Sequence, residues 1–170
     1  MTLAPGGDID DDEAYNSGGK LVVSQTSLYS FKCAFGNEPF YPGNRYMFEV
    51  LFRKGQNFKI GICEEACLRE PDQAFSDSTK GFAYYSNGQL RHGSKGSGSF
   101  YGEPFRANDV VTCYVDLVDG LLFFAKNGDV YGDAFKGNPL LLDQDKVFYA
   151  ACCCLTKGEA FELMVPACED

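Results

Sequence analysis

Eight cysteines, a single histidine and a few neighbouring carboxylates are the residues of this 170-residue chain with chemistry to offer. Cys63-x-x-x-Cys67 together with Cys152, Cys153 and Cys154 comes nearest to a metal site. Structural zinc asks for two short Cys/His pairs at ligand spacing. Consecutive residues of a strand point to opposite faces, so the three adjacent cysteines cannot all reach one ion. They read instead as small apolar core residues, and no metal is expected. His92 sits beside Gly93 in an expected turn and reads as an exposed turn histidine. As a general base it would need a nucleophile delivered from another loop. Glu64 with Glu65, or Asp116 with Asp119, could do acid–base work, but both pairs fall where solvated loops are expected. Gly96-Ser97-Gly98 lacks the strand–helix context and the Gly-Lys-Ser/Thr ending of a phosphate loop. The residues therefore predict no catalytic group and no cofactor.

Charge and composition narrow the partners. A net charge of −9 argues against nucleic-acid backbones and anionic membrane surfaces. No apolar run approaches the length of a membrane span. Residues 1–20 show no basic region followed by an apolar core, so no secretory signal is read there. The cysteines then read as reduced thiols of an intracellular, cytoplasmic protein rather than as disulfides. Asp8, Asp10, Asp11, Asp12 and Glu13 lack the central Gly and distal Glu of a calcium loop. Residues 1–19 are expected to be a flexible acidic tail, and residues 20–170 a single, monomeric domain without internal repeats.

The elements that would position these residues are strands. Val110 to Val118 and Leu121 to Ala125 are apolar, aromatic or β-branched. Two turn signals bound them: Asp119-Gly120 separates the two runs, and Asn127-Gly128 closes the second. This predicts a three-stranded meander over residues 109–135, central to a two-layer β protein, with Phe123 in its core and Phe124 on the opposite face. Residues 45–53 alternate, with Tyr46, Phe48, Val50 and Phe52 on one face. Phe58 to Cys63 is the next strand, and its Gly61 marks a close approach of another chain segment. Residues 64–80 lack strand character and predict a long loop with a helical turn near its start. Gly81 to Tyr85, Phe148 to Leu155 and Glu159 to Val165 complete the strands. The fold class expected is all-β: a two-layer antiparallel β-sandwich.

The ordered motifs resemble those of the SPRY domain, a β-sandwich of the concanavalin or jelly-roll kind. Gly43-Asn44-Arg45-Tyr46-Met47-Phe48-Glu49-Val50 is similar to that family's Gly–x–x–Tyr–x–Phe–Glu–Val strand. Ile60-Gly61-Ile62 resembles its Val–Gly–Val, and Gly81-Phe82-Ala83-Tyr84 its Gly–aromatic strand. Asp109 to Asp116, then Gly120-Leu-Leu-Phe-Phe-Ala-Lys-Asn-Gly128 and Gly132-Asp-Ala-Phe135, come next in the family's order. The resemblance covers residues 20–165. Departures are Asn108 for a Gly, Tyr149 for a Pro, and Leu155 or Thr156 where the family commonly has a loop Trp. No PRY segment is evident before Leu21.

The resemblance implies a non-catalytic protein-interaction module whose edge loops bind a short peptide of a partner. It places the candidate contacts in three loops expected to converge: Arg53, Gln56 and Asn57; Glu64, Glu65 and Leu68; and Leu155, Thr156 and Lys157. An apolar residue such as Leu155 would fill a pocket, and the acidic balance favours a basic or neutral partner. Two other readings stay open. One is a carbohydrate or small-molecule binder using Tyr101, Asn87 and Gln89, with Tyr84, Tyr85, Phe100 and Tyr131 bordering nearby turns. The other is a thiol- or metal-dependent enzyme.

Overall fold

The computed structural model describes residues 3–5, 21–24, 29–36 and 38–164, with side chains for 31–36 and 38–164. Alternation builds its two layers. In β4 (Arg45–Lys54) Phe48, Val50 and Phe52 are buried, while Arg45, Met47 and Arg53 face solvent. The other strands are β1 (Leu3–Pro5), β2 (Leu21–Ser24), β3 (Tyr29–Gly36), β5 (Phe58–Glu64), β6 (Gly81–Tyr85), β7 (Leu90–Arg91), β8 (Val110–Asp116), β9 (Leu121–Lys126), β10 (Asp129–Lys136), β11 (Phe148–Thr156) and β12 (Ala160–Met164). They form two antiparallel sheets, in the orders β1-β3-β11-β5-β6-β7 and β10-β9-β8-β4-β12-β2. The chain is thus a two-layer β-sandwich, as the residue pattern predicts.

The main core lies between the sheets and is largely aromatic: Phe48, Phe52, Phe58, Phe82, Tyr84, Phe124 and Phe161 are all buried there. A second, smaller core lies on the outer side of the first sheet, where Cys33, Phe35, Cys63, Cys67, Phe75 and Cys153 pack under residues 65–80. Strand alternation splits the cysteine run between the two, Cys152 and Cys154 facing the main core and Cys153 the second. All seven cysteines among the described residues are buried free thiols; Cys168 lies outside them. Gly61 has the close approach expected of it, since a Cβ there would sit 1.8 Å from the Phe82 carbonyl oxygen. The helical turn expected after β5 is a 3-10 turn, Glu65–Arg69.

Four details differ from the sequence reading. The 109–135 meander exists, but it ends at β10 on the sheet's edge instead of at its centre. Its second turn is the tight hairpin expected, with Asn127 and Gly128 both at positive φ. Its first is a four-residue connection, 117–120, in which Gly120 takes positive φ and Leu117 is buried. Phe123 points outward and stacks on Tyr114 at 4.5 Å, so that the core position belongs to Phe124, which is 0% exposed. Leu3–Pro5, within the segment read as a flexible tail, pairs with β3; the acidic run from Asp8 to Glu13 lies outside the described residues. On β10 the register against β9 shifts twice, between Val130 and Asp133 and between Asp133 and Phe135.

Candidate functional site

Two crossovers between the layers meet at one end of the sandwich. The chain passes from β4 in the second sheet to β5 in the first through residues 55–57, and from β11 back to β12 through residues 157–159. Because β5 neighbours β11 and β4 neighbours β12, the two crossovers run side by side. Glu159 joins them. It is 4% exposed, and its Oε2 accepts from the backbone N–H of Gln56 (2.9 Å) and Asn57 (2.9 Å) and from Asn57 Nδ2 (3.1 Å). Its Oε1 accepts from the backbone N–H of Leu155 (3.0 Å) and Thr156 (2.6 Å). Burial pushes the Glu159 carboxyl up, but the donors of Thr156, Gln56 and Asn57 outweigh it and hold the group below the usual carboxylate range. Gly55 makes room for it: φ is +104 there, and a Cβ would lie 2.4 Å from Glu159 Cγ.

A third segment locks on. Ser86 Oγ donates to the Gln56 carbonyl at 2.7 Å and accepts from Phe58 N–H at 3.0 Å. Ala107 N–H donates to the Gly55 carbonyl, and Phe105 N–H to the Ser86 carbonyl. Two open concavities result, sharing Gln56 and Arg106 as their common wall. One, of about 440 Å³, is lined by Gln56, Asn57, Arg106, Thr156 and Lys157. The other, of about 380 Å³, extends past Ser86, Phe105 and Lys126.

Of the expected contact residues, the structure brings together Arg53, Gln56, Asn57, Leu155, Thr156 and Lys157. Gln56, Arg53 and Lys157 are exposed; Asn57, Leu155 and Thr156 are half-buried. Leu155 reaches Glu159 through its backbone, while Thr156 and Lys157 line the concavity. Glu64, Glu65 and Leu68 do not join them, which corrects the expected convergence of three loops. Phe58 pairs with Cys154, whereas Glu64 pairs with Phe148, so Glu64 stands at the opposite end of β5. At about 3.3 Å per residue those ends are roughly 20 Å apart. There Glu64 is buried and ion-paired with Lys146 at 3.0 Å, Glu65 borders a separate concavity, and Leu68 packs on the second core.

The chemistry read from the other candidates also changes. His92 is not an exposed turn residue: its ring stacks on Phe82 at 4.1 Å, and its Nδ1 lies 2.9 Å from the Gly81 carbonyl oxygen. Tyr101 gives its hydroxyl to the Gly132 carbonyl at 2.5 Å and packs edge-on against Tyr84, while the amides of Asn87 and Gln89 bond each other. The Tyr101 hydroxyl is thus engaged within the protein, while Asn87 and Phe100 stay exposed. Among the described residues no group of three or more His, Cys, Asp or Glu side chains could hold a metal, and no helix is long and apolar enough to cross a membrane. Sequence reasoning missed Glu159 and Arg106. Glu159 stands between the Lys157-Gly158 turn and the start of β12, a place where a solvated residue is the ordinary expectation.

Comparison with known proteins gives a consistent answer. A family model described as SPRY domain matches residues 45–167. The chain is 32% identical over 98 residues to a Ran-binding proteins 9/10 homolog of Drosophila melanogaster, covering 57% of this chain and 10% of that protein. It is 26% identical over 143 residues to the probable ATP-dependent RNA helicase ddx1 of Dictyostelium discoideum, covering 84% and 17%. The chain therefore spans less than a fifth of the length of these relatives. Its fold is similar to the crystal structure of a human SPRY domain (TM-score 0.71, 17% identity, covering 99% of this chain and 100% of that one). It is similar too to the SPRY domain of human HERC1 (TM-score 0.66, 16% identity, covering 95% and 99%).

Proposed function

This chain belongs to the SPRY domain family of protein-interaction modules, and we propose that it is a non-catalytic member that holds a short extended segment of a partner protein in the groove around Gln56 and Arg106. The observation that carries the reading is the Glu159 clamp. It fixes two crossovers by their backbones and leaves the side chains of Gln56, Arg106, Thr156 and Lys157 facing the concavity. A rigid edge with outward polar side chains loses little freedom on binding. Exposed amide and hydroxyl groups can pair with peptide backbone, and the half-buried Leu155 beside them offers apolar contact.

The groove's own charge refines the partner. Overall acidity favours a basic or neutral ligand, and at this edge Arg106 and Lys157 stand against the carboxylates of Asp109 and Glu159, while Lys126 is ion-paired with Glu103 at 3.3 Å. Fields beyond about 8–10 Å are screened at ordinary ionic strength, so these nearly balanced local charges set the preference. The segment proposed is polar and close to neutral. Seven buried free thiols suit a reducing, intracellular setting.

Selection from a random peptide display, then calorimetric titration of a selected peptide, tests this. Gln56→Ala combined with Arg106→Ala is expected to abolish binding with an unchanged melting temperature. Glu65→Ala, at the opposite end of the sandwich, is expected to leave binding intact. Equal binding by the Gln56/Arg106 variant and the wild type would place the site elsewhere.

A further inference from the structure

The outer face of the first sheet buries two cations. Lys59 of β5 is 1% exposed and Arg91 of β7 is 7% exposed. Their neighbours in sequence, Phe58, Ile60 and Leu90, pack into the main core, so both side chains leave on the other face. Both stand over the ring of Tyr85, Lys59 Nζ at 5.0 Å and the Arg91 guanidinium carbon at 5.3 Å from its centroid. Phe31 lies 4.5 Å from the ammonium on another side. Lys59 pairs in register with Tyr85, and Arg91 with Ala83, which places all three side chains on one patch.

Among the described residues one carboxylate answers this pair, and it does so incompletely. Asp77 Oδ1 is 3.9 Å from Lys59 Nζ, beyond hydrogen-bond distance. Nε and Nη1 of Arg91 are buried with no acceptor among the described residues, and the Ser76 hydroxyl is buried without a partner there too. Ser76 belongs to the segment that covers this region: its carbonyl accepts from Ser94 N–H, and that of Ser78 from Gly93 N–H, just beyond Arg91. Buried donors without acceptors are rare and costly, and a buried unbalanced charge costs more. Water would satisfy the donors but not the surplus positive charge.

We infer that Lys59 and Arg91, with the Ser76 hydroxyl alongside, form a binding site for a small oxyanion, a carboxylate or a phosphate group. Arginine suits such a ligand because its planar fork matches paired oxygens, and the ammonium supplies the second charge. A singly charged oxyanion would neutralise the excess left by Asp77. The residues are distinct from those lining the Gln56–Arg106 groove, so the peptide reading and this one stand or fall separately.

The test is a titration of isotope-labelled protein with sodium phosphate and, separately, with sodium acetate, the ionic strength being held constant with sodium chloride. Expected are saturable amide shifts at Lys59, Asp77, Tyr85 and Arg91, and a melting temperature that rises with ligand concentration. Saturation by phosphate alone assigns a phosphate site, by acetate alone a carboxylate site, and by both a general oxyanion site. Arg91→Gln, which keeps donors but loses the charge, is expected to remove the saturation. Should that variant fail to fold, Ser76→Ala gives a milder change expected to weaken it. Absence of saturable shifts at these residues in the wild-type protein, or an Arg91→Gln variant that titrates as the wild type does, overturns the inference.

Discussion

Glu159 accepts the backbone N–H of Gln56 at 2.9 Å although 103 positions separate the two in the chain. The same carboxylate takes the N–H groups of Leu155 and Thr156 from its own turn. One buried side chain thus closes two crossovers against each other, and the edge of the sandwich keeps its shape without a metal or a disulfide among the described residues.

Removing that carboxylate should be costly. Each buried donor left without an acceptor costs about 1–3 kcal/mol, and Glu159→Ala strands several. A loss of at least that size is expected in urea denaturation. Glu159→Gln should be destabilising too, because its NH₂ would face N–H groups.

The clamp also predicts a pH dependence. Glu159 is held below its ordinary value in the folded state, whereas an unfolded Glu titrates near about 4.3. The unfolded chain therefore binds the proton first as pH falls. The clamp's contribution is complete above the unfolded value and is lost as pH drops through the folded one. Stability measured from pH 6 down to pH 3 should fall less steeply in Glu159→Gln than in the wild type.

Phe123 and Phe124 should separate cleanly. Phe124→Ala empties a site at 0% exposure and is expected to cost about 3–5 kcal/mol. Phe123→Ala removes a half-buried ring stacked on Tyr114, and is expected to cost about 1 kcal/mol, near the centre of the range for point substitutions. Chemical denaturation of the two variants measures both.

The thiols give a fourth measurement. Burial pushes Cys113 and Cys152 up, away from the reactive thiolate. In the native protein a chromogenic disulfide reagent should leave Cys113, Cys152 and Cys154 unreacted and find Cys67 first, whose thiol the Cys63 side chain holds below its usual value, and in denaturant it should find all seven described cysteines. Fast native labelling of Cys152 or Cys154 would contradict their place in the core.

The sandwich was legible in the chain because its signals are local. Phe48, Val50 and Phe52 alternate with polar neighbours, Asn127-Gly128 names its turn, and Gly61 advertises a close approach. The site was legible only in part. Gln56 and Lys157 could be placed from the turns they occupy. Glu64 was misassigned although Gln56 and Glu64 bracket one strand, and a strand's two ends face opposite ways, as the chain alone implies. Glu159 was not legible, since a carboxylate after a turn looks the same whether it enters solvent or folds back beneath two loops. The outward direction of Phe123 depended on the register of β8 and β9, which a run of consecutive apolar residues leaves open.

The double register shift of β10 bears on how the molecule behaves in a crowd. Edge strands with an unbroken row of free backbone groups invite a second chain to extend the sheet, which is how many soluble β proteins begin to aggregate. β10 interrupts that row twice and carries Asp129, Asp133 and Lys136 along it. Irregularity at this edge keeps an approaching strand from finding a continuous ladder to join. Variants that straighten β10 should therefore turn up in the insoluble fraction sooner than variants that merely weaken the core.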